Sequence, residues 1–151
     1  MSIIKRLLAV AFVTLFLTVL KVYGATVEEV KQVIRTQAAA MGVDPAIMLS
    51  IAKTESGFRQ EARGGGAIGV FQLLPSTARH LGVNPYVLEE NVKGGIIYYK
   101  NMYNMFGSME LAVAAYNTGP QAIKYANYKV PTRAQGFVSR IMTDYNYFKT
   151  H

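Results

Sequence analysis

Apolar residues along this chain recur mostly at helical spacing. Val27, Val30, Ile34, Ala38 and Met41 step by three and four, which predicts a helix that stops at Gly42. Asp44-Pro45 is a start signal, with Asp as N-cap and Pro at the first helical position, for a helix running from Pro45 to Ser56 or Phe58. Arg59 to Gln72 reads as irregular, because five glycines lie in or beside it. Pro75-Ser76-Thr77-Ala78 opens a short helix. Asn91 to Phe106 predicts a longer amphipathic one, carrying Ile96, Ile97, Tyr99, Tyr103 and Phe106. Ser108 caps a helix from Met109 to Tyr116, Gln121 to Asn127 is a short helical stretch, and Thr132 is the expected cap of a last helix containing Phe137, Ile141, Tyr145 and Phe148. Strand signals are weak throughout. The fold class read from this pattern is mainly α, with a loop-rich centre and little or no β.

One polar residue breaks the pattern. Glu55 sits in the apolar stripe formed by Ile47, Met48, Ile51, Ala52 and Phe58. A carboxylate there loses hydration, so its pKa rises. Its place in the last helical turn, beside the partial negative charge of the helix C-terminus, pushes the same way. A carboxyl that keeps its proton near neutrality suits general acid catalysis. The competing reading is an ordinary ion pair with Lys53, Arg59 or Arg63.

The N-terminus changes the count of residues available for folding. Lys5 and Arg6 precede an uncharged apolar run of 14 residues, Leu7 to Leu20, too short to favour a membrane span. Val22-Tyr23-Gly24 then offers a cleavage site. Residues 1–24 are expected to be a signal peptide and 25–151 one exported domain, placed in the periplasm. Membrane association follows only if the leader stays attached. The chain has no cysteine, so neither disulfides nor a cysteine-borne lipid anchor is available. Losing Lys5, Arg6 and Lys21 with the leader lowers the formal charge from +7 to +4. No dense Lys/Arg cluster remains, which argues against nucleic acid as a partner. His80 and the terminal His151 are the only histidines and show no metal-ligand spacing, so no metal or other cofactor is expected.

Two further segments carry candidate chemistry. Gly66-Ala67-Ile68-Gly69-Val70-Phe71-Gln72 is a glycine-rich approach to an apolar strip ending in an amide. It is either a turn with a satisfied Gln72 or a cleft wall that lets a ligand approach the backbone. It is no phosphate loop, since no Gly-Lys-Ser/Thr follows. Ala115-Tyr116-Asn117-Thr118-Gly119-Pro120 closes a helix at a turn, with Tyr116 and Asn117 either structural or sugar-facing.

Taken together, Glu55-Ser56-Gly57-Phe58, then Gly66 to Gln72 followed by Pro75-Ser76-Thr77-Ala78, then Ala115 to Pro120, resemble the lytic transglycosylase domain of the soluble type, which has a lysozyme-like fold. Asn91-x-x-x-Gly95 resembles a further helix of that family. The resemblance runs from about residue 30 to 148. It implies Glu55 as the catalytic acid, with Ser56, Phe71, Gln72, Tyr116 and Asn117 holding the glycan. It implies peptidoglycan glycan strands as substrate, cleaved between N-acetylmuramic acid and N-acetylglucosamine with closure of a 1,6-anhydro ring. It also implies service to a secretion, conjugation or pilus machine that needs the wall opened locally. Three departures stand out. Arg63-Gly64-Gly65 replaces a serine-containing stretch and is one residue shorter, Val70-Phe71 replaces Leu-Met, and Phe137 lacks a tyrosine hydroxyl. The rival readings are a hydrolytic lysozyme on the same fold, with Glu61 the nearest second acid, and a wall-binding component of an export apparatus without catalysis.

Overall fold

A computed structural model describes residues 2–5 and 24–151. The expected leader, with its apolar run Leu7 to Leu20, lies outside the described residues. Among the described residues no helix is long and apolar enough to cross a membrane.

Among residues 24–151 seven α-helices follow in order: α1 (Val27–Ala40), α2 (Pro45–Ser56), α3 (Pro75–Leu81), α4 (Leu88–Phe106), α5 (Met109–Thr118), α6 (Pro120–Tyr125) and α7 (Gln135–Thr150). Thr26 and Glu29 make a capping box at the start of α1, each side chain bonding the other residue's backbone N–H. Asp44 accepts from the Ala46 N–H at 3.0 Å, as its place before Pro45 predicts.

The middle of the fold is α2. Ala46, Ile47, Met48, Leu49, Ile51 and Ala52 are all at most 4% exposed, so this helix is apolar nearly all round and is enclosed by its neighbours. Each large side chain buried this way contributes about 1.5–3 kcal/mol. The C-terminal helix α7 makes the most extensive packing with α2 and is tied to it at both ends. Tyr145 and Lys149 reach Asp44 at 3.0 and 3.1 Å, and Lys53 pairs with Asp144 at 2.6 Å. Gly57, in the left-handed region, ends α2, and Phe58 follows with φ 65°. The Phe58 ring is buried edge-on against Phe148, which anchors this sharp turn just past Glu55.

α5 runs two residues past the expected Tyr116, α6 spans Pro120–Tyr125 in place of the expected Gln121 to Asn127, and two helix starts differ more. α4 begins at Leu88, three residues before Asn91, because the Val87 carbonyl accepts the Asn91 N–H at 2.8 Å and Glu89 and Glu90 suit the positive end of the helix. Thr132 does not cap the last helix. It opens a 3-10 turn, Thr132–Ala134, and α7 starts at Gln135 with no side-chain cap.

The loop-rich centre holds a small hairpin, β1 (Arg63–Gly64) with β2 (Ala67–Ile68), paired antiparallel as Arg63 to Ile68 and Gly64 to Ala67. Gly65 and Gly66 form its two-residue turn at φ 56° and 83°, a left-handed pair that glycine takes without strain.

Candidate active site

Glu55 stands in the last turn of α2 and lines a cavity of about 420 Å³. The side chain is half-buried, and that loss of hydration pushes its carboxyl up to about 7. The cations proposed as its partners are engaged elsewhere. Arg59 donates to the Ser56 carbonyl at 2.9 Å, Arg63 to the Gln60 and Ala62 carbonyls at 3.0 and 2.8 Å, and Lys53 to Asp144. Glu55 is also the only acid on the cavity wall among the described residues; Glu61 is exposed and absent from that wall.

Facing Glu55 are the hairpin residues Gly64 and Gly65, the strip ending at Gln72, and Tyr116 and Asn117 at the end of α5. The strip is held residue by residue. The Val70 N–H donates to the Gln60 side-chain oxygen at 3.3 Å, and the Val70 carbonyl accepts from Ser56 at 2.8 Å. The Phe71 N–H donates to Asn91 at 2.9 Å, and the Phe71 carbonyl accepts from the Tyr116 hydroxyl at 2.9 Å. Four side chains from four places in the fold thus satisfy four backbone groups of two consecutive buried residues, as buried polar backbone requires. The strip closes on itself through Ile68 and Leu73, paired in both directions at 3.0 Å.

The expected site residues therefore divide. Glu55, Gln72, Tyr116 and Asn117 share the cavity wall. Ser56 and Phe71 do not. Ser56 is 5% exposed and spends its hydroxyl on the Ala52 and Val70 carbonyls, while accepting from the Arg59 N–H. Phe71 is fully buried against Gly95, where an added Cβ would stand only 2.7 Å from the Phe71 Cβ. Its ring belongs to the core, and only its backbone supports the wall. The side chain of Gln72 is itself partly committed. Its amide donates to the Gly69 and Ala62 carbonyls at 2.8 and 3.2 Å, which holds the backbone in the left-handed conformation found at Gln72, φ 47°.

Three residues around the site carry no role in the sequence reading, although Thr77 and Asn91 lie in blocks that carry the resemblance. Tyr98 lines the cavity and packs edge-on against Tyr116, ring centres 5.1 Å apart. Thr77 completes the wall beside it. Asn91, fully buried, bonds the Ile68 and Pro85 carbonyls at 2.8 and 2.9 Å as well as the Phe71 N–H. The signal for Tyr98 was its spacing of seven from Asn91, which puts both on one face of α4. Burial, with the neighbouring Glu55 charge second, raises the Tyr116 hydroxyl well above its ordinary pKa and keeps it a donor.

The Transglycosylase SLT domain family matches residues 32–136. A transglycosylase of Enterobacteria phage PRD1 is 30% identical over 117 residues, covering 76% of this chain and 42% of that protein. The 70 kDa soluble lytic transglycosylase of Escherichia coli superposes with a TM-score of 0.71 at 22% identity, over 79% of this chain and 24% of that one. An inactive glutamate-to-glutamine mutant of the lytic transglycosylase Slt of Pseudomonas aeruginosa superposes at 0.69 and 23% identity, over 79% of this chain and 24% of that one. The chain thus spans less than half the length of the phage relative and about a quarter of each solved neighbour.

Proposed function

The chain belongs to the SLT transglycosylase family, and on that footing we propose that it is a peptidoglycan lytic transglycosylase with Glu55 as its single acid and base. The observation that carries this reading is the solitary, half-buried Glu55 carboxyl on the cavity wall, raised to about 7 by burial. Glycoside cleavage by two carboxylates needs a second acid across the bond, and this cavity wall offers none.

In the proposed reaction the glycan lies along the cavity with the bond between N-acetylmuramic acid and N-acetylglucosamine at Glu55. Glu55 gives its proton to the glycosidic oxygen as the bond from C1 breaks. The substrate's own N-acetyl oxygen stabilises the positive charge left at C1. The Glu55 carboxylate then takes the proton of the 6-hydroxyl as O6 bonds to C1. An anhydro ring closes, Glu55 regains its proton, and no water is consumed. An acid that must become a base within one turnover works best with a pKa close to the working pH.

The binding roles follow from what each side chain has left to offer. Asn117 is exposed at the cavity and free to bond sugar amides or hydroxyls. Gln72 retains its carbonyl oxygen. Tyr116 gives its proton to the Phe71 carbonyl, so its oxygen meets the sugar only as an acceptor. We place residues 25–151 as the catalytic domain, exported to the periplasm by a leader at 1–24. There it opens the wall locally, for a secretion, conjugation or pilus machine. The inactivity of the Pseudomonas aeruginosa glutamate-to-glutamine mutant supports assigning that much weight to one carboxyl.

The test is clearing of purified sacculi by the mature chain and by its Glu55→Gln variant. The wild type should clear them and the variant should not, with its fold unchanged by circular dichroism. A fully active, folded Glu55→Gln protein overturns the assignment.

A further inference from the structure

Charge is unevenly placed along this chain. Between Gly119 and Thr143 stand four cations, Lys124, Lys129, Arg133 and Arg140, and no acid. All four are exposed, and none of them joins an ion pair among the described residues. They equal the whole excess of +4 that remains without Lys5, Arg6 and Lys21. Acids gather elsewhere. Glu28, Glu29, Glu89 and Glu90 lie in the first turns of α1 and α4, which meet where the Gln37 amide bonds the Glu89 carbonyl at 3.1 Å. α1 packs chiefly on α2 and α4, whereas α6 packs chiefly on α5. The two signs of charge thus sit on different parts of the fold, an arrangement that orients the molecule in the field of an anionic surface.

Two tyrosines stand among these cations. Tyr125, the last residue of α6, is 86% exposed, and Tyr128 is 62% exposed. The turn that carries them is fixed. Asn127 and Tyr128 both lie in the left-handed region, φ 51° and 57°, which non-glycine residues seldom take in succession. The Tyr128 N–H donates to the Ile123 carbonyl at 2.9 Å and the Asn127 N–H to the Lys124 carbonyl at 3.1 Å, while the Tyr128 ring leans edge-on against Phe106. A strained backbone is thus held in place where it leaves two large rings in water. Neither tyrosine and none of the four cations lines the Glu55 cavity, so this face lies outside the cleft that would take a single strand. Cations alone fit any polyanion. Rings with an apolar body and a hydroxyl tip beside them fit the headgroup layer of a bilayer, whose phosphates meet the Lys and Arg charges.

We propose that the face of Lys124, Lys129, Arg133 and Arg140 docks the chain on an anionic lipid bilayer, with Tyr125 and Tyr128 entering the headgroup layer. This attachment needs no leader, and it does not rest on the glycan-cleaving reading. The end of α5 forms part of the Glu55 cavity wall at Thr118, and α6 from Pro120 to Tyr125 spans about 9 Å, so docking holds the cavity close to the bilayer. The test is co-sedimentation of the mature chain, whose seven helices all lie within residues 27–150, with vesicles of phosphatidylcholine alone and of phosphatidylcholine with phosphatidylglycerol. The chain should bind the anionic vesicles and not the neutral ones, and added salt should release it. Lys124→Gln plus Lys129→Gln should weaken that binding about thirtyfold, roughly fivefold for each lost cation. Tyr125→Ser should weaken it as well, at unchanged charge. The exposed pair Arg79→Gln plus Lys93→Gln, which removes the same charge from α3 and α4, should leave the binding within about twofold of wild type. Clearing of lipid-free sacculi should be the same in all of these variants. Binding to neutral vesicles as tight as to anionic ones, no binding to either, or equal weakening by the two double changes overturns the proposal. So does a Lys124→Gln plus Lys129→Gln protein that keeps its vesicle binding but no longer sediments with sacculi, since this face would then grip the wall.

Discussion

The Tyr116 hydroxyl donates its only proton to the backbone carbonyl of Phe71, 2.9 Å away and fully buried. A tyrosine expected to hold the sugar is thus the bolt that fastens one cavity wall to α5. Removing it strands a buried carbonyl that has no other partner among the described residues. Tyr116→Phe should therefore destabilise the protein by about 1–3 kcal/mol and lower activity through a looser wall. Thermal unfolding measured beside turnover separates the two roles. A variant as stable as wild type but slow would mean that the hydroxyl serves substrate.

Asn91 holds three backbone groups at once, the Phe71 N–H and the carbonyls of Ile68 and Pro85. Asn91→Ala leaves the buried Phe71 N–H unpaired and takes one of two donors from each of the Ile68 and Pro85 carbonyls, which keep the Leu73 N–H and the Gln60 amide. The expected cost is about 2–3 kcal/mol, with activity lost at temperatures where the protein is still folded. Denaturant unfolding and sacculus clearing at low temperature check both parts. A variant within about 0.5 kcal/mol of wild type would contradict the role given to Asn91.

Glu55 also carries a stability cost that depends on pH. The folded chain keeps this proton up to about pH 7, whereas the unfolded chain releases it near the ordinary value of 4.5. Between those values the folded state binds more protons, so stability falls as pH rises, and the penalty is complete above pH 7. Glu55→Gln has no such penalty. It should unfold at the same temperature as wild type near pH 4 and at a higher one at pH 8. The gain at pH 8 should be on the order of 3 kcal/mol, from a carboxyl moved from 4.5 to about 7 at ~1.4 kcal/mol per pH unit. Melting curves across that range that run parallel would show that burial does not shift this carboxyl.

The same ionisation governs turnover. An acid that must begin protonated loses activity once its proton is gone, so kcat/KM should fall about tenfold per pH unit above pH 7. The descending limb should be absent from any residual activity of Glu55→Gln. A limb centred near the ordinary carboxylate value would place Glu55 in water rather than in the half-buried setting described.

Much of the helical frame was legible because its ends are marked by side chains with strong local preferences. Asp44-Pro45, Ser108 and the glycines after α1 and α2 act through the backbone nearest them, and the chain obeys them. Leu88 and Thr132 were misread where tertiary packing decides instead: α4 begins without a side-chain cap, and the Thr132 turn is followed by a helix that needs none. The hairpin at Arg63 to Ile68 was hidden by its glycines, although Gly65-Gly66 is a pair suited to a left-handed two-residue turn. For the site, Glu55 stood out because an acid in an apolar stripe is a local anomaly. Ser56 and Phe71 looked like ligands of the sugar because motif order says nothing about which way a side chain faces. Their burial, and the entry of Tyr98 and Thr77, depend on α3, α4 and α5 meeting around the strip, a long-range arrangement that no local pattern carries.

The most direct measurement of the central claim is the mass of the muropeptides released from purified sacculi by the mature chain. With Glu55 acting alone as acid and then base, the products should be lighter by one water than hydrolytic fragments, and none should carry a new reducing end. Products with reducing N-acetylmuramic acid would show that water attacks C1, make this a hydrolase, and contradict the single-carboxyl account.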